Sequence, residues 1–110
     1  MNWIALETEQ QLQTIAAKSF TTPQVIFKHS TSCNISSVAL NRLERAKAPA
    51  NVDFYYLDLL KLRPISSAIA EKFQVHHESP QILVIKNGEC VYDESHYGIS
   101  MDEIAAQTAS

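Results

Sequence analysis

Apolar residues in this chain alternate between short unbroken runs and residues spaced three or four apart, so strand and helix patterns succeed each other along its length. Trp3 to Leu6 reads as a weak first strand. Thr8 and Gln11 have the spacing of a capping box, and Leu12, Ile15, Ala16 and Phe20 follow near helical spacing, which predicts a helix over 8–19. Pro23 closes that connection, and Val25-Ile26-Phe27 reads as a strand buried on both faces. Beyond Cys33, the residues Ile35, Val38, Ala39, Leu43 and Ala46 mark one face of a second helix, ended by Pro49. Val52 to Leu57, rich in aromatic and β-preferring residues, is a third strand. Pro64 suits the first turn of a helix bearing Ile65, Ala68, Ile69 and Phe73, where its missing N–H is not needed. Ile82 to Lys86 and Cys90 to Asp93 flank Asn87-Gly88, the pair favoured in type I′ turns, and so form a hairpin. Ser100 and Glu103 make a second capping box before a short helix with Met101, Ile104 and Ala105. The order β-α-β-α-β-α-β-β-α predicts an α/β fold with a mixed central sheet flanked by helices, residues 1–110 forming one domain.

Composition narrows the function classes. A chain of 110 residues can bury about two-thirds of its unfolded surface and needs no disulfide staple. The formal charge of -3 and the absence of any cluster among the nine basic residues argue against nucleic acid as a partner. Neither a basic n-region nor a run of about 18 apolar residues occurs, so no membrane association is expected and the predicted location is cytoplasmic. Two widely separated cysteines do not resemble the dense framework of a small secreted domain, and a reducing compartment keeps both as thiols. No paired spacing of the zinc type is present, and no metal is expected.

The most informative segment is Val25 to Ser36, an apolar strand feeding a lone cysteine, Cys33, at the start of a helix. Unpaired N–H groups and partial positive charge at a helix N-terminus stabilise a thiolate, so a cysteine there is expected to be an activated nucleophile rather than an inert buried thiol. Ser36 stands where a C-x-x-C motif has its second cysteine, which makes this a one-cysteine version of a dithiol site. Its hydroxyl either donates to the Cys33 thiolate or caps backbone groups. His29 either sits near enough to favour the thiolate or packs at the strand end, and His76 and His77 either rim a ligand groove or are surface loop residues. Cys90, in the outgoing hairpin strand, reads as a strand residue rather than a resolving thiol.

The element order is similar to that of thioredoxin, with Cys33 between the second strand and second helix and Pro80 at the start of the strand entering the hairpin. That resemblance implies a cis Ser79-Pro80 bond, with the backbone of Ser79 set against the cysteine. More narrowly, Lys28 to Cys33, Ile35-Ser36, Arg63-Pro64, His77 to Gln81, Asn87-Gly88-Glu89 and Ser95-His96 together resemble the monothiol bacilliredoxin family of the bacillithiol system, over nearly the whole chain. The family commonly has proline directly after the cysteine, where this chain has Asn34, which bears on thiol positioning. The resemblance implies a thiol-disulfide oxidoreductase that removes bacillithiol from S-bacillithiolated proteins. Cys33 and Ser36 would be its catalytic pair, with Ser32, Asn34, His77, Ser79 and Pro80 contacting substrate. No bound cofactor is implied: bacillithiol is the low-molecular-weight thiol substrate, and bacillithiol or an external disulfide reductase recycles Cys33.

Two other classes fit C-x-x-S. A monothiol glutaredoxin-like carrier would ligate an iron-sulfur cluster through the cysteine and a small thiol, but this chain has Asn34-Ile35 where such carriers show Gly-Phe. A non-catalytic thioredoxin-fold interaction module would lack an unusually reactive Cys33.

Overall fold

The computed structural model describes residues 1–109. Its elements in chain order are β1 (Trp3–Ala5), α1 (Gln10–Lys18), β2 (Gln24–His29), α2 (Asn34–Arg45), β3 (Asp53–Asp58), α3 (Arg63–Phe73), β4 (Gln81–Lys86), β5 (Glu89–Ser95) and α4 (Met101–Ala109), with a short 3-10 turn at His96–Gly98. The five strands lie in the order β1-β3-β2-β4-β5. The first three are mutually parallel, β4 runs antiparallel to β2, and β5 antiparallel to β4. This is the predicted mixed sheet, with the 3-10 turn as the one addition.

Local chemistry explains most boundaries. The first capping box forms reciprocally: Gln11 N–H donates to Thr8 Oγ1 at 3.3 Å and Thr8 N–H donates to Gln11 Oε1 at 3.0 Å. Thr8 therefore stands outside the helix it caps, and α1 starts at Gln10 rather than at 8. Pro64 lies in the first turn of α3, and Gln74 ends that helix in the left-handed region at φ 55°. Glu103 N–H donates to Ser100 Oγ at 3.2 Å, so half of the second box is present.

Each face of the sheet carries its own core. One is built from α1 and α3, with Leu12, Ile15, Ile65, Ile69 and Phe73 over Ile26, Leu57, Leu83 and Ile85. The other packs Ala39 and Leu43 of α2 and Met101 and Ile104 of α4 over Val25, Phe27, Ile82 and Val84. Two apolar positions depart from the helical pattern read in the sequence. Val38 is 46% exposed and Phe20 64% exposed. The inner face of α2 is instead Ser36, Ala39 and Leu43, and α1 stops at Lys18 before Phe20.

Phe20 packs over the hairpin turn, where Asn87 and Gly88 have φ of 54° and 80°, both positive as a type I′ turn requires. A Cβ built on Gly88 would meet the Phe20 ring at 3.1 Å. Gly88→Ala is therefore expected to lose about 1–2 kcal/mol from the left-handed backbone alone. Urea denaturation should show a lower midpoint with an unchanged slope; an unchanged midpoint would contradict this reading of the turn.

Candidate functional site

Parallel pairing of β2 and β3 brings both C-terminal ends to one edge of the sheet, where loops and helix starts gather. Cys33 is the N-cap of α2, with extended backbone at φ −109° and ψ 122°, and its carbonyl accepts the first helical bond from Ser37 N–H at 3.1 Å. The thiol is half-buried and free. It thus sits one residue before the helix proper, with the unpaired first-turn amides just beyond it. Asn34 is the exposed first helical residue, and Ser32 is exposed, its hydroxyl 3.4 Å from Ser30 Oγ.

The Ser79-Pro80 bond is cis. Because Lys28 pairs with Gln81 in the β2–β4 ladder, Pro80 and Ser79 fall beside His29 and Ser30, at the foot of the loop that carries Cys33. Pro80 is buried, and its carbonyl accepts from His96 N–H at 3.1 Å. The Ser79 hydroxyl is buried and has no protein partner among the described residues.

Ser36 takes a different part from the expected thiolate donor. Its fully buried hydroxyl accepts from Ser30 N–H at 3.0 Å and shares a 2.7 Å hydrogen bond with His29 Nδ1. No hydrogen bond joins Ser36 to Cys33 among the described residues. The reason is direction: Ser36 is on the inner face of α2 with Ala39 and Leu43, aimed at the strand rather than along the helix axis. His29 is a packed strand-end histidine, lying against Phe27 and Tyr56 with ring centroids 5.7 Å and 5.5 Å away. Burial holds its pKa below the usual histidine value, against the opposing pull of Asp58.

On the other face of β2 is a pair that sequence reading missed. Lys28 is fully buried, and its Nζ lies 3.1 Å from His77 Nδ1. Burial lowers its pKa to about 8. Burial and the Lys28 charge likewise hold His77 below its ordinary value. The signal was present in the sequence, since a lysine inside an apolar run must either snorkel or find a buried partner. His76, by contrast, is an exposed loop residue 3.7 Å from Glu78, which also faces His96 at 3.5 Å.

Cys90 lies at the opposite end of the sheet. It pairs with Ile85, which pairs with Gln24, so the length of β2, roughly 15 Å, separates it from the Cys33 loop. A register shift near Val84 turns it toward the α1 and α3 core, where burial pushes its pKa up to about 11.

A single N-capping cysteine beside a cis-proline loop, at the C-terminal edge of a mixed five-stranded sheet, defines a thiol oxidoreductase of the thioredoxin fold. The comparisons agree. A solved thioredoxin-fold protein described as an oxidoreductase is 31% identical, with a TM-score of 0.79, over 97% of this chain and 93% of its own. Thioredoxin of Malassezia sympodialis superposes with a TM-score of 0.77 at 17% identity, over 99% of this chain and 92% of its own. Thioredoxin of Fasciola hepatica gives 0.70 at 19% identity, over 96% and 95%. The family model of the monothiol bacilliredoxin BrxC matches residues 4–104. The chain belongs to the monothiol bacilliredoxin family.

Two predictions follow from the buried polar groups. Ser36→Ala strands both the Ser30 N–H and His29 Nδ1 and should cost about 1–3 kcal/mol in urea unfolding; a neutral effect would show that the two bonds carry no net stability. For Lys28, the folded pKa lies near 8 and the unfolded one near 10.5. Between these values the unfolded chain binds more protons, so the Lys28 contribution makes stability rise with pH. Comparing urea midpoints at pH 7.5 and about 9.5 should show this rise in wild type relative to Lys28→Met, a difference in which the tyrosine and cysteine titrations common to both proteins cancel. Identical pH dependence in the two proteins would remove Lys28 as its source.

Proposed function

We propose that this protein removes bacillithiol from mixed disulfides on proteins, with Cys33 as the single nucleophile. The observation that carries the reading is the pairing of a free N-cap thiol with a second cysteine that is half-buried against the core at the far end of the sheet. Cys33 is placed where first-turn amides favour negative charge on sulfur, and the thiolate is the form that attacks. Family membership supports bacillithiol as the small thiol.

In the proposed exchange the Cys33 thiolate attacks the bacillithiol sulfur of the mixed disulfide. A new bond forms between Cys33 and that sulfur, the old S–S bond breaks, and the target leaves as a thiolate that takes a proton from water. Bacillithiol is then held on Cys33. A second small thiolate attacks the bacillithiol sulfur of the adduct, so that a small-molecule disulfide forms and Cys33 leaves as a thiolate; an external dithiol reductase instead supplies two electrons, becomes a disulfide and releases both Cys33 and bacillithiol as thiols. Cys90 cannot do this, because a disulfide needs Cα atoms within about 7 Å. Ser79 and Pro80, at the foot of the Cys33 loop, are the residues proposed to meet the substrate's backbone, with Ser32, Asn34 and His77 around the groove. Ser36 serves by fixing the loop through Ser30 and His29.

Incubating the reduced protein with a target bearing one bacillithiol should leave a single bacillithiol on Cys33 and restore the target's thiol, read by intact and peptide mass. Cys33→Ser should abolish transfer, since a hydroxyl is hardly ionised near neutral pH. Cys90→Ser should leave it unchanged. A Cys33–Cys90 disulfide forming during turnover would overturn the monothiol mechanism, and equal transfer of glutathione would remove the preference for bacillithiol.

A further inference from the structure

A cleft of about 510 Å³ is lined by Leu59, Arg63, Ser66, Ser67, Ala70, Glu71 and His77, between α3 and the loop that leads to Pro80. It is joined to the site at the strand end: Leu59 N–H donates to the carbonyl of His29 at 3.0 Å, one residue before Ser30. Cleft and Cys33 loop therefore occupy the same edge of the sheet, on either side of β2.

The charged side chains of the lining are Arg63 and Glu71, and Lys28 stands behind the lining residue His77. Lys28 is wholly buried, and its hydrogen bond is to a neutral acceptor, His77 Nδ1. Among the described residues neither Lys28 nor Arg63 forms a salt bridge. An ammonium can only donate, so His77 Nδ1 must be the acceptor and the ring proton sits on Nε2. Ser66 Oγ, 3.4 Å from the same nitrogen, is consistent with that tautomer. The two nitrogens of an imidazole point apart, so the Nε2–H is directed away from Lys28, and the buried charge behind it strengthens it as a donor. Arg63 adds a guanidinium fork and Ser67 a hydroxyl to the lining. Glu71 lines the cleft two turns along α3 from Arg63, and Glu78 lies beyond His77 in the loop, so neither carboxylate neutralises the buried ammonium. A buried cation without a counter-charge is unfavourable unless an anion comes to it.

The geometry points to a carboxylate-binding subsite in this cleft, with Arg63 as its cation and His77, backed by Lys28, as a second donor. Resting on the function proposed above, the ligand class is the carboxylate of a low-molecular-weight thiol whose sulfur is exchanged at Cys33. The subsite would discriminate that thiol from thiols of the same reactivity that lack an anionic end.

Two measurements on the full chain separate this inference from that function. First, succinate is titrated into reduced protein at constant ionic strength, chloride serving as the control, and the His77 imidazole and Ser67 signals are followed by NMR. Saturable shifts that weaken about tenfold or more in Arg63→Gln and Lys28→Met are expected, as for loss of a charged hydrogen bond. The surface variant Arg63→Gln decides the matter if Lys28→Met does not fold. Non-saturating shifts, or the same titration in Arg63→Gln, would overturn the subsite. Second, bacillithiol is loaded onto Cys33 and the same signals are observed. An adduct that forms without moving them discards the subsite and keeps the exchange reaction; succinate saturation with no adduct at Cys33 keeps the subsite and discards bacillithiol.

Discussion

Strand β2 is buried along its whole length, yet three of its six residues are Gln24, Lys28 and His29. Each must find a hydrogen-bond partner inside the protein or destabilise the strand on which both cores rest. The partners come from three different elements. Gln24 donates to Asp53 Oδ2 at 2.8 Å, and Asp53 in turn pairs with Lys18 at 3.0 Å, which ties the start of β2 to β3 and the end of α1. Lys28 reaches the loop before Pro80, and His29 reaches α2. The central strand thereby fixes the helix that carries Cys33 and the loop that faces it with bonds of defined length and direction, which apolar packing alone would not supply.

That division of labour leaves one cysteine at the helix start on one edge of the sheet and packs the other against the core at the opposite end. At the C-terminal end of β2 the loop from Ser30 to Cys33 is held from below, by Ser36 through Ser30 N–H, and by a turn in which Cys33 N–H donates to Ser30 O at 3.2 Å. The sulfur is left half-open with helix amides beyond it. At the other end Cys90 donates weakly to Tyr92 O at 3.3 Å and sits against apolar neighbours, an environment that keeps a thiol protonated. Two cysteines in one small sheet are thus given different surroundings, one at the start of a helix and one against the core of α1 and α3.

Much of this was legible in the residues because it rests on short-range rules. The type I′ turn at Asn87-Gly88, the boxes at Thr8 and Ser100, Pro64 in a first turn and the apolar run of β2 each have a local cause that sequence displays. What escaped depends on long-range partners. The pattern of α2 counted Val38 as inward and passed over Ser36, since a buried serine is recognised only once His29 and Ser30 are known to await it. Phe20 looked like a core residue because its neighbours were, until the hairpin turn arrived beneath it. The Lys28–His77 pair joins residues far apart in sequence, and no periodicity encodes such a bond.

The position three residues after the cysteine shows why one site can be read in two ways. Seen from the sequence, Ser36 stands where a dithiol site has its second cysteine. In the fold it is a hydroxyl that answers two buried groups at once, one donor and one imidazole, on the inner face of the helix. A thiol there would be a weaker hydrogen-bonding group with a larger atom at a fully buried position, so it would relax the support beneath the Ser30 to Cys33 loop. The absence of a second redox sulfur is therefore also the presence of a support. The residue that a dithiol site uses for its second sulfur here seats the loop that carries the single cysteine, through Ser30 N–H and His29.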